Sequence, residues 1–349
     1  MSNKYRSSAK CIPVEQAAGM VLAHDMTEIR PGEFKGPAFT KGQIISEEDI
    51  PHLRRIGKEH LYVLELEPGE VHEDDAAIRL CQALAGPGIQ FDPNPSEGKI
   101  SLKAAHSGLL KVDVQALLEL NCVPDICCSS RHNHAVLEAG DIVASIRAIP
   151  LIIDESLLKQ AVAVAEKVSG LFAVKPLARP RTGVLITGNE VYSGLIEDKF
   201  GPIIKKKLDW YGCCMDAPVF SPDETTRLVE ELHHILAGGV ELLIVAGGMS
   251  VDPDDITRVA IAQAGAEDVV YGTPVLPGAM FLYGRFGQVP VLGLPACVLF
   301  YKATVFDLIL PRVLAGERIT RRDIAALAHG GLCLNCERCR FPVCPFGKS

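Results

Sequence analysis

Apolar and polar positions along the chain change period near residue 180. Before it, short runs alternate with turn-rich stretches. "SEEDIPHLRRIG" predicts a helix led by Ser46 with acids in its first turn, and "HLYVLEL" a strand after it. "DDAAIRLCQALAG", "DVQALLELN" and "ESLLKQAVAVAEKVSG" repeat apolar residues at helical spacing. "KISLKA" is a strand, and "DIVASIRAIPLII" reads as strand, turn, strand. "RPGEFKGPAFTKGQ" and "GPGIQFDPNPSEG" are Pro/Gly punctuation, and "KPLARPRTG" is a linker or crossover.

From Gly183 the pattern becomes solid apolar runs separated by helices. "VLITG" and "ELLIVAGG" are short buried strands. "KFGPIIKKKLDWYG" is a helix, and "PDETTRLVEELHHILAGG" is an amphipathic helix opened near Ser221. "DPDDITRVAIAQAG" is a helix entered through acids, where Asp254 and Asp255 either cap the helix or carry chemistry, and "ACVLFYKATVFDLILPRVL" is one closing helix. A hairpin is expected around Arg285–Gln288. Strands alternating with helices imply an α/β, three-layer α/β/α sandwich on a mostly parallel sheet, with ligands outside the C-terminal strand ends. The expected division is an N-terminal α+β segment 1–75, an α+β domain 76–180, the α/β domain 181–318 and a Cys-rich tail 319–349.

Composition narrows the function classes. A formal charge of −8 argues against a general nucleic-acid or anionic-membrane binder. No segment approaches the roughly 20 uninterrupted apolar residues that span a bilayer, and "MSNKYRSSAK" opens no signal peptide, so the expectation is a soluble cytoplasmic protein. Twelve cysteines in 349 residues are too dilute for a disulfide scaffold. The adjacent pairs Cys127/Cys128 and Cys213/Cys214 read as small apolar residues in a reducing compartment. His132 and His134, close after Cys127/Cys128, suit a polar loop, with metal binding as the alternative. Lys205–Lys207 read as a partly solvated helix face, His233 and His234 as surface residues, and Trp210 and Tyr211 as packing groups.

Candidate chemistry gathers where two strands end. "LITGNEV" presents Thr187, Gly188, Asn189 and Glu190; "VAGGMSVDPDD" presents Gly247, Gly248 and Ser250, then Asp252, Asp254 and Asp255. Glycines let a ligand approach the backbone, and free N–H groups hold anions. Carboxylates beside such a backbone suit a bridging Mg2+ or general acid/base work, and Asp198 is a further candidate. Neither loop is a P-loop or a dinucleotide fingerprint. In the tail, Cys333, Cys336, Cys339 and Cys344 form C-x2-C-x2-C-x4-C before Pro345. Four thiolates so spaced fit a [4Fe–4S] cluster, with tetrahedral Zn2+ as the alternative.

"LITGNEVYSGLIED", "LLIVAGGMSVDPDDITR", "PVLPG" and "VLGLPA", in that order, resemble the molybdopterin-binding domain of the molybdenum cofactor biosynthesis family, nearest to its molybdopterin molybdenumtransferases. "AAGMVLAHDMTEIRPGEFKGPAF" adds a looser likeness. The resemblance implies that the strand ends bind molybdopterin and that Mg2+ and molybdate act on adenylylated molybdopterin, releasing AMP. It also implies a homodimer. It places Thr187, Gly188 and Glu190 on the family's Thr-Gly-Asp-Glu loop, with Asn189 for its Asp. Asp198 falls on a downstream acid, and Gly247, Gly248, Ser250 and Val251 fall on Gly-Gly-x-Ser-Val. Asp255 takes the position of the transferase acid, Asp252 replaces a glycine, and Pro277–Gly278 form a Pro-Gly turn. Departures are the lysines expected beside Pro277–Gly278 (here Leu276 and Ala279), a Leu-Pro-Gly-Asn-Pro loop reading Leu294–Val298, and no Met-Asp-Gly-Tyr-Ala segment. The expectation is therefore a transferase-like enzyme using Glu190, Asp255 and Asp198. One alternative is a non-catalytic cofactor carrier or sensor with a metal tail; another is an orphan domain with a zinc module that docks a partner.

Overall fold

In a computed structural model, residues 10–30, 33–63, 66–96, 98–250, 252 and 255–348 are described. Val251, Pro253 and Asp254 lie outside them, and with them the expected Asp254 cap. Tertiary contacts divide the chain into two units, Met1–Lys175 and Pro176–Ser349.

In the first unit, Lys10–Pro13 pairs with His60–Val63, and Met26–Arg30 with Phe34–Phe39. Ser46 leads a 3-10 turn, Glu47–Asp49, its amide donating to the Asp49 carboxylate at 2.9 Å, and the turn runs into the helix Ile50–Arg55. A second core gathers the helices Glu73–Leu84, Val114–Asn121 and Glu155–Glu166 against antiparallel strands, with 99–104, 142–148 and 126–130 side by side. His72 caps the first of these helices. It is 2% exposed, its Nε2 lies 2.8 Å from the Ala23 carbonyl, and Lys41 bridges it to Asp74.

The second unit holds the sandwich. Its elements are β1 (Arg181–Thr187), α1 (Asn189–Tyr192), α2 (Phe200–Trp210), β2 (Cys214–Met215), β3 (Val219–Ser221), α3 (Thr225–Ala237), β4 (Leu242–Ala246), α4 (Thr257–Gln263), β5 (Glu267–Tyr271), β6 (Leu282–Phe286), β7 (Val289–Leu294), α5 (Val305–Leu314) and α6 (Arg321–Ala326). The sheet order is β2-β1-β4-β7-β6-β5, with β3 also pairing β1. β1 is parallel to β2, β3 and β4, and β4 to β7; the β6 pairings to β5 and β7 are antiparallel.

β4 is buried at every position, so its sequence is an unbroken apolar run rather than an alternation. One sheet face packs Val184, Ile186 and Ile244 against α2 and α5. The other packs Leu185, Leu243 and Val245 against Leu228, Leu232 and Ile235 of α3 and Ala260 and Ile261 of α4. The spacing 228, 232, 235 is the one-face periodicity that marked α3. The three-layer α/β/α class read from the sequence is therefore the observed one.

Several local expectations are corrected. Ser221 ends strand β3, and α3 begins only at Thr225. α4 begins at Thr257, after the aspartates, and carries no acid in its first turn. "ACVLFYKATVFDLILPRVL" is not one helix: a 3-10 turn at Ala296–Leu299 is followed by irregular chain, and α5 starts afresh where Thr304 and Asp307 form a capping box. Trp210 does not pack, being 78% exposed. Lys205 and Lys206 are exposed, whereas Lys207 is held by Asp307 and the Lys302 carbonyl. No helix among the described residues is long and apolar enough to cross a membrane.

Candidate functional site

β1 and β4 deliver their C-terminal ends side by side, Ile186 opposite Ala246. Beyond β4 the chain turns on Gly247 (φ 98°) and Gly248 (φ 57°). Both need glycine for space as well as conformation. A Cβ on Gly247 would stand 2.8 Å from the Thr187 hydroxyl oxygen, and closer still to the Thr187 carbonyl. One on Gly248 would strike the Thr257 hydroxyl. Thr187 and Thr257, both buried, lie 3.2 Å apart through their hydroxyls, so the Gly-Gly turn rests on a threonine pair. The Tyr271 hydroxyl donates to the Met249 carbonyl at 2.7 Å and fixes the loop that carries Ser250, while the Arg258 guanidinium sits 4.6 Å from the Tyr271 ring centre.

A cavity of about 580 Å3 opens at this edge. Gly247, Gly248, Ser250 and Asp255 line one side, and Pro277 and Gly278 the other. Gly278 (φ 134°) is wedged against Val305, whose amide donates to the Pro277 carbonyl at 3.2 Å. Phe200, Pro295, Ala296 and Cys297 add to the wall near the loop that departs from the family pattern. Asp255 is the one charged residue among the described lining residues.

The other expected residues fall elsewhere. Thr187 lies beneath the turn. Gly188 and Asn189 open α1, and the Asn189 amide donates to the Asp223 carboxylate at 3.1 Å while the Asp223 amide donates to the Asn189 side chain. Asp198 accepts from the amides of Phe200 and Gly201, so its carboxylate starts α2. Asp252 is exposed and joins Asp255 in a small turn.

Asp223 was not anticipated. It follows β3, and Pro222–Asp223 gives no motif that the sequence alone would single out. Burial raises its carboxyl pKa above the usual carboxylate range; the Asn189 amide opposes this, and Glu190 and Asp255 push it up further. Its Oδ1 is buried with no hydrogen-bond partner. Asp223 thus feels the charges of both Glu190 and Asp255, one from each loop. Among the described residues, no three His, Cys, Asp or Glu side chains are set to hold a metal ion. The four tail cysteines do line a single second cavity of about 200 Å3. Cys127 and Cys128 sit on a strand, Cys128 buried, and His134 faces Lys111 at 2.8 Å.

Comparisons with known proteins place part of the chain in sequence space. Residues 183–315 match the family described as probable molybdopterin binding domain, and residues 11–65 match a domain of unknown function, DUF8806. A molybdenum cofactor biosynthesis bifunctional protein of Chlorobaculum tepidum is 27% identical over 109 residues, 31% of this chain and 33% of that one. A CinA-like protein of Mycobacterium sp. (strain JLS) is 28% identical over 93 residues, 27% of this chain and 22% of that one. The matches thus span about a fifth to a third of these relatives' lengths. Among solved structures, the molybdopterin biosynthesis enzyme MoaB of Thermus thermophilus aligns at a TM-score of 0.34 and 20% identity, covering 40% of this chain and 98% of its own. Residues 183–315, which carry the Gly247–Ser250 turn at the strand ends, are the part of the chain that matches the probable molybdopterin binding domain family.

Proposed function

We propose that the cavity at Gly247–Ser250 and Pro277–Gly278 is where this chain binds molybdopterin, and that the chain holds the pterin as a carrier in molybdenum cofactor biosynthesis. The observation that carries the reading is a roomy cavity floored by a two-glycine turn at the ends of parallel strands, within the matched segment. The fit is that of a backbone turn: neither glycine tolerates a Cβ over the threonine pair, and Gly247, Gly248 and Ser250 all line the cavity, where Gly248 and Ser250 would meet a phosphate while the Gly247 amide is engaged with the Leu294 carbonyl at 3.5 Å. Carriage is favoured over catalysis because, of the expected catalytic acids Glu190, Asp198 and Asp255, only Asp255 lines the cavity, and Asp198 is engaged at the start of α2.

A second reading is Mg2+-dependent insertion of molybdate into adenylylated molybdopterin. It rests on Glu190, Asp223 and Asp255 interacting electrostatically at one edge of the sheet. Bound Mg2+ would supply the missing positive charge there. In either reading, Cys333, Cys336, Cys339 and Cys344 supply the ligands of a [4Fe–4S] or Zn2+ centre.

The test is anaerobic titration of the full chain with molybdopterin released from a purified molybdoenzyme, followed by pterin fluorescence. Saturable binding that Ser250→Ala weakens supports the site, and no binding overturns it. Adding adenylylated molybdopterin, molybdate and Mg2+ separates the two readings, since AMP release occurs only under insertion.

A further inference from the structure

We propose that residues 333–344 form a four-thiolate metal site that is also a wall of the pterin cavity, so that loading the metal tightens the ligand site. The ligand half rests on the pterin-binding reading above; the metal half stands without it.

Three observations carry the coupling. Tyr301, Cys333 and Asn335 line both cavities, the larger one at the strand ends and the smaller one ringed by all four cysteines. The tail is also stitched to the ligand loop by backbone. The Leu276 amide donates to the Gly331 carbonyl at 2.9 Å, and the Cys333 amide donates to the Leu276 carbonyl at 2.8 Å. Leu276 immediately precedes Pro277–Gly278, so displacing Cys333 pulls on the turn that lines the larger cavity. Finally, the segment is held at its far end. Phe346 is 3% exposed in the core, its ring edge-on to Phe341, and the Gly347 amide donates to the Gly330 carbonyl at 2.9 Å.

Between these anchors the chain has no helix or strand, and Leu334 and Val343 are 67% and 86% exposed. The segment leans on the second unit's core through Cys333, Cys339, Phe341 and Cys344 but builds no core of its own, and a metal is the usual substitute in such a segment. The charge environment suits one. Four thiolates on a divalent ion carry a net charge of −2, and Lys302 and Arg340 line the same small cavity, with Glu337 the opposing charge there. All four cysteines line the cavity but are not yet gathered as a ligand set. Binding therefore draws them inward, and exposed Cys336 has the greatest freedom to move. Cys333 is tied to Leu276, so the centre assembles against the wall of the ligand cavity and stiffens it. Zn2+ and an iron–sulfide cluster share this donor chemistry.

The experiment uses the full chain, purified without oxygen, stripped with a chelator, and reloaded either with Zn2+ or with Fe2+ and sulfide. Metal and sulfide analysis shows which centre is retained. Hydrogen exchange at the Leu276 and Cys333 amides reads the coupling without any pterin, and titration with released molybdopterin reads it through the ligand. The expected result is one centre per chain, slower exchange at both amides, and molybdopterin binding tightened by about tenfold on loading, a typical size for coupled sites. Cys336→Ser/Cys339→Ser, which changes no residue lining the ligand cavity, should abolish retention and leave binding at the stripped level. Failure to retain either metal overturns the proposal. So does retention with unchanged exchange and unchanged pterin affinity. Slowed exchange with no pterin binding in any form sinks the proposed function and leaves the metal-built wall standing.

Discussion

Replacing Gly247 by alanine tests the Gly-Gly turn most directly. At φ 98° an L-residue is strained by about 1–2 kcal/mol. The added methyl also meets the Thr187 hydroxyl at 2.8 Å and the Thr187 carbonyl closer still. That carbonyl is backbone at the end of a buried strand, so it yields only if β1 shifts, and overpacking of this kind costs about 1–3 kcal/mol. The two add to roughly 2–5 kcal/mol, which for a unit of this size lowers the melting temperature by roughly 5–15 °C. Scanning calorimetry suits the assay because it resolves separate transitions in a chain of two units. Gly287→Ala is the control. Gly287 (φ 59°) sits at the β6–β7 hairpin tip, where a Cβ meets nothing within 4 Å, so only the strain term of about 1–2 kcal/mol remains. If Gly247→Ala melts within a degree or two of Gly287→Ala, the close approach to Thr187 is wrong, and with it the argument that the turn is kept bare by packing.

Other outcomes follow from the same structure. Arg312, 5% exposed, holds Glu317 and Asp323; although burial alone would raise the Asp323 carboxyl, hydrogen bonds from Thr320 and Arg312 bring it down to about 2. Arg312→Ala should therefore cost about 3–5 kcal/mol, read as a lower melting point of the second unit, and an unchanged melting point would refute the network. Burial pushes the Cys81 and Cys128 thiols up to about 12, whereas Cys336 is exposed. Alkylation at pH 8 followed by mass spectrometry should mark the exposed Cys11, Cys122, Cys214 and Cys336 and spare Cys81 and Cys128 until the chain unfolds. Burial, with help from Lys58, lowers the His24 pKa below its ordinary 6.5, and its Nδ1 is buried without a partner. The folded state thus binds fewer protons at this site. The stability of the first unit should be full above about pH 6.5 and fall as pH drops toward the folded pKa; a His24→Asn variant with the same pH slope would exclude this cause.

The sheet order, beyond simple alternation of elements, could not be read from the chain. The runs "VLITG" and "ELLIVAGG" announced buried parallel strands because both faces of such strands need apolar residues. Helix starts were less legible. The aspartates before α4 and Ser221 before α3 have capping chemistry, yet the helices begin later because β3 and the Asp252–Asp255 turn claim those residues first. Asp198 illustrates a second difficulty: an acid near a candidate site can equally hold the amides of Phe200 and Gly201, and only its partners tell which.

What the sequence determined by itself is local: the strand-to-turn punctuation at Gly247–Gly248, the cysteine spacing in the tail, and the α/β alternation that places ligands at strand ends. These follow from steric limits on φ, ligand geometry and hydrophobic period, which act over a few residues. Tertiary structure alone decided that Asp223 feels the charges of Glu190 and Asp255, that Thr187 and Thr257 floor the glycine turn, and that Cys333 lies against the loop of Leu276. Each of these joins residues 32 to 70 positions apart, and such pairings are set by how the sheet orders its strands rather than by any pattern along the chain.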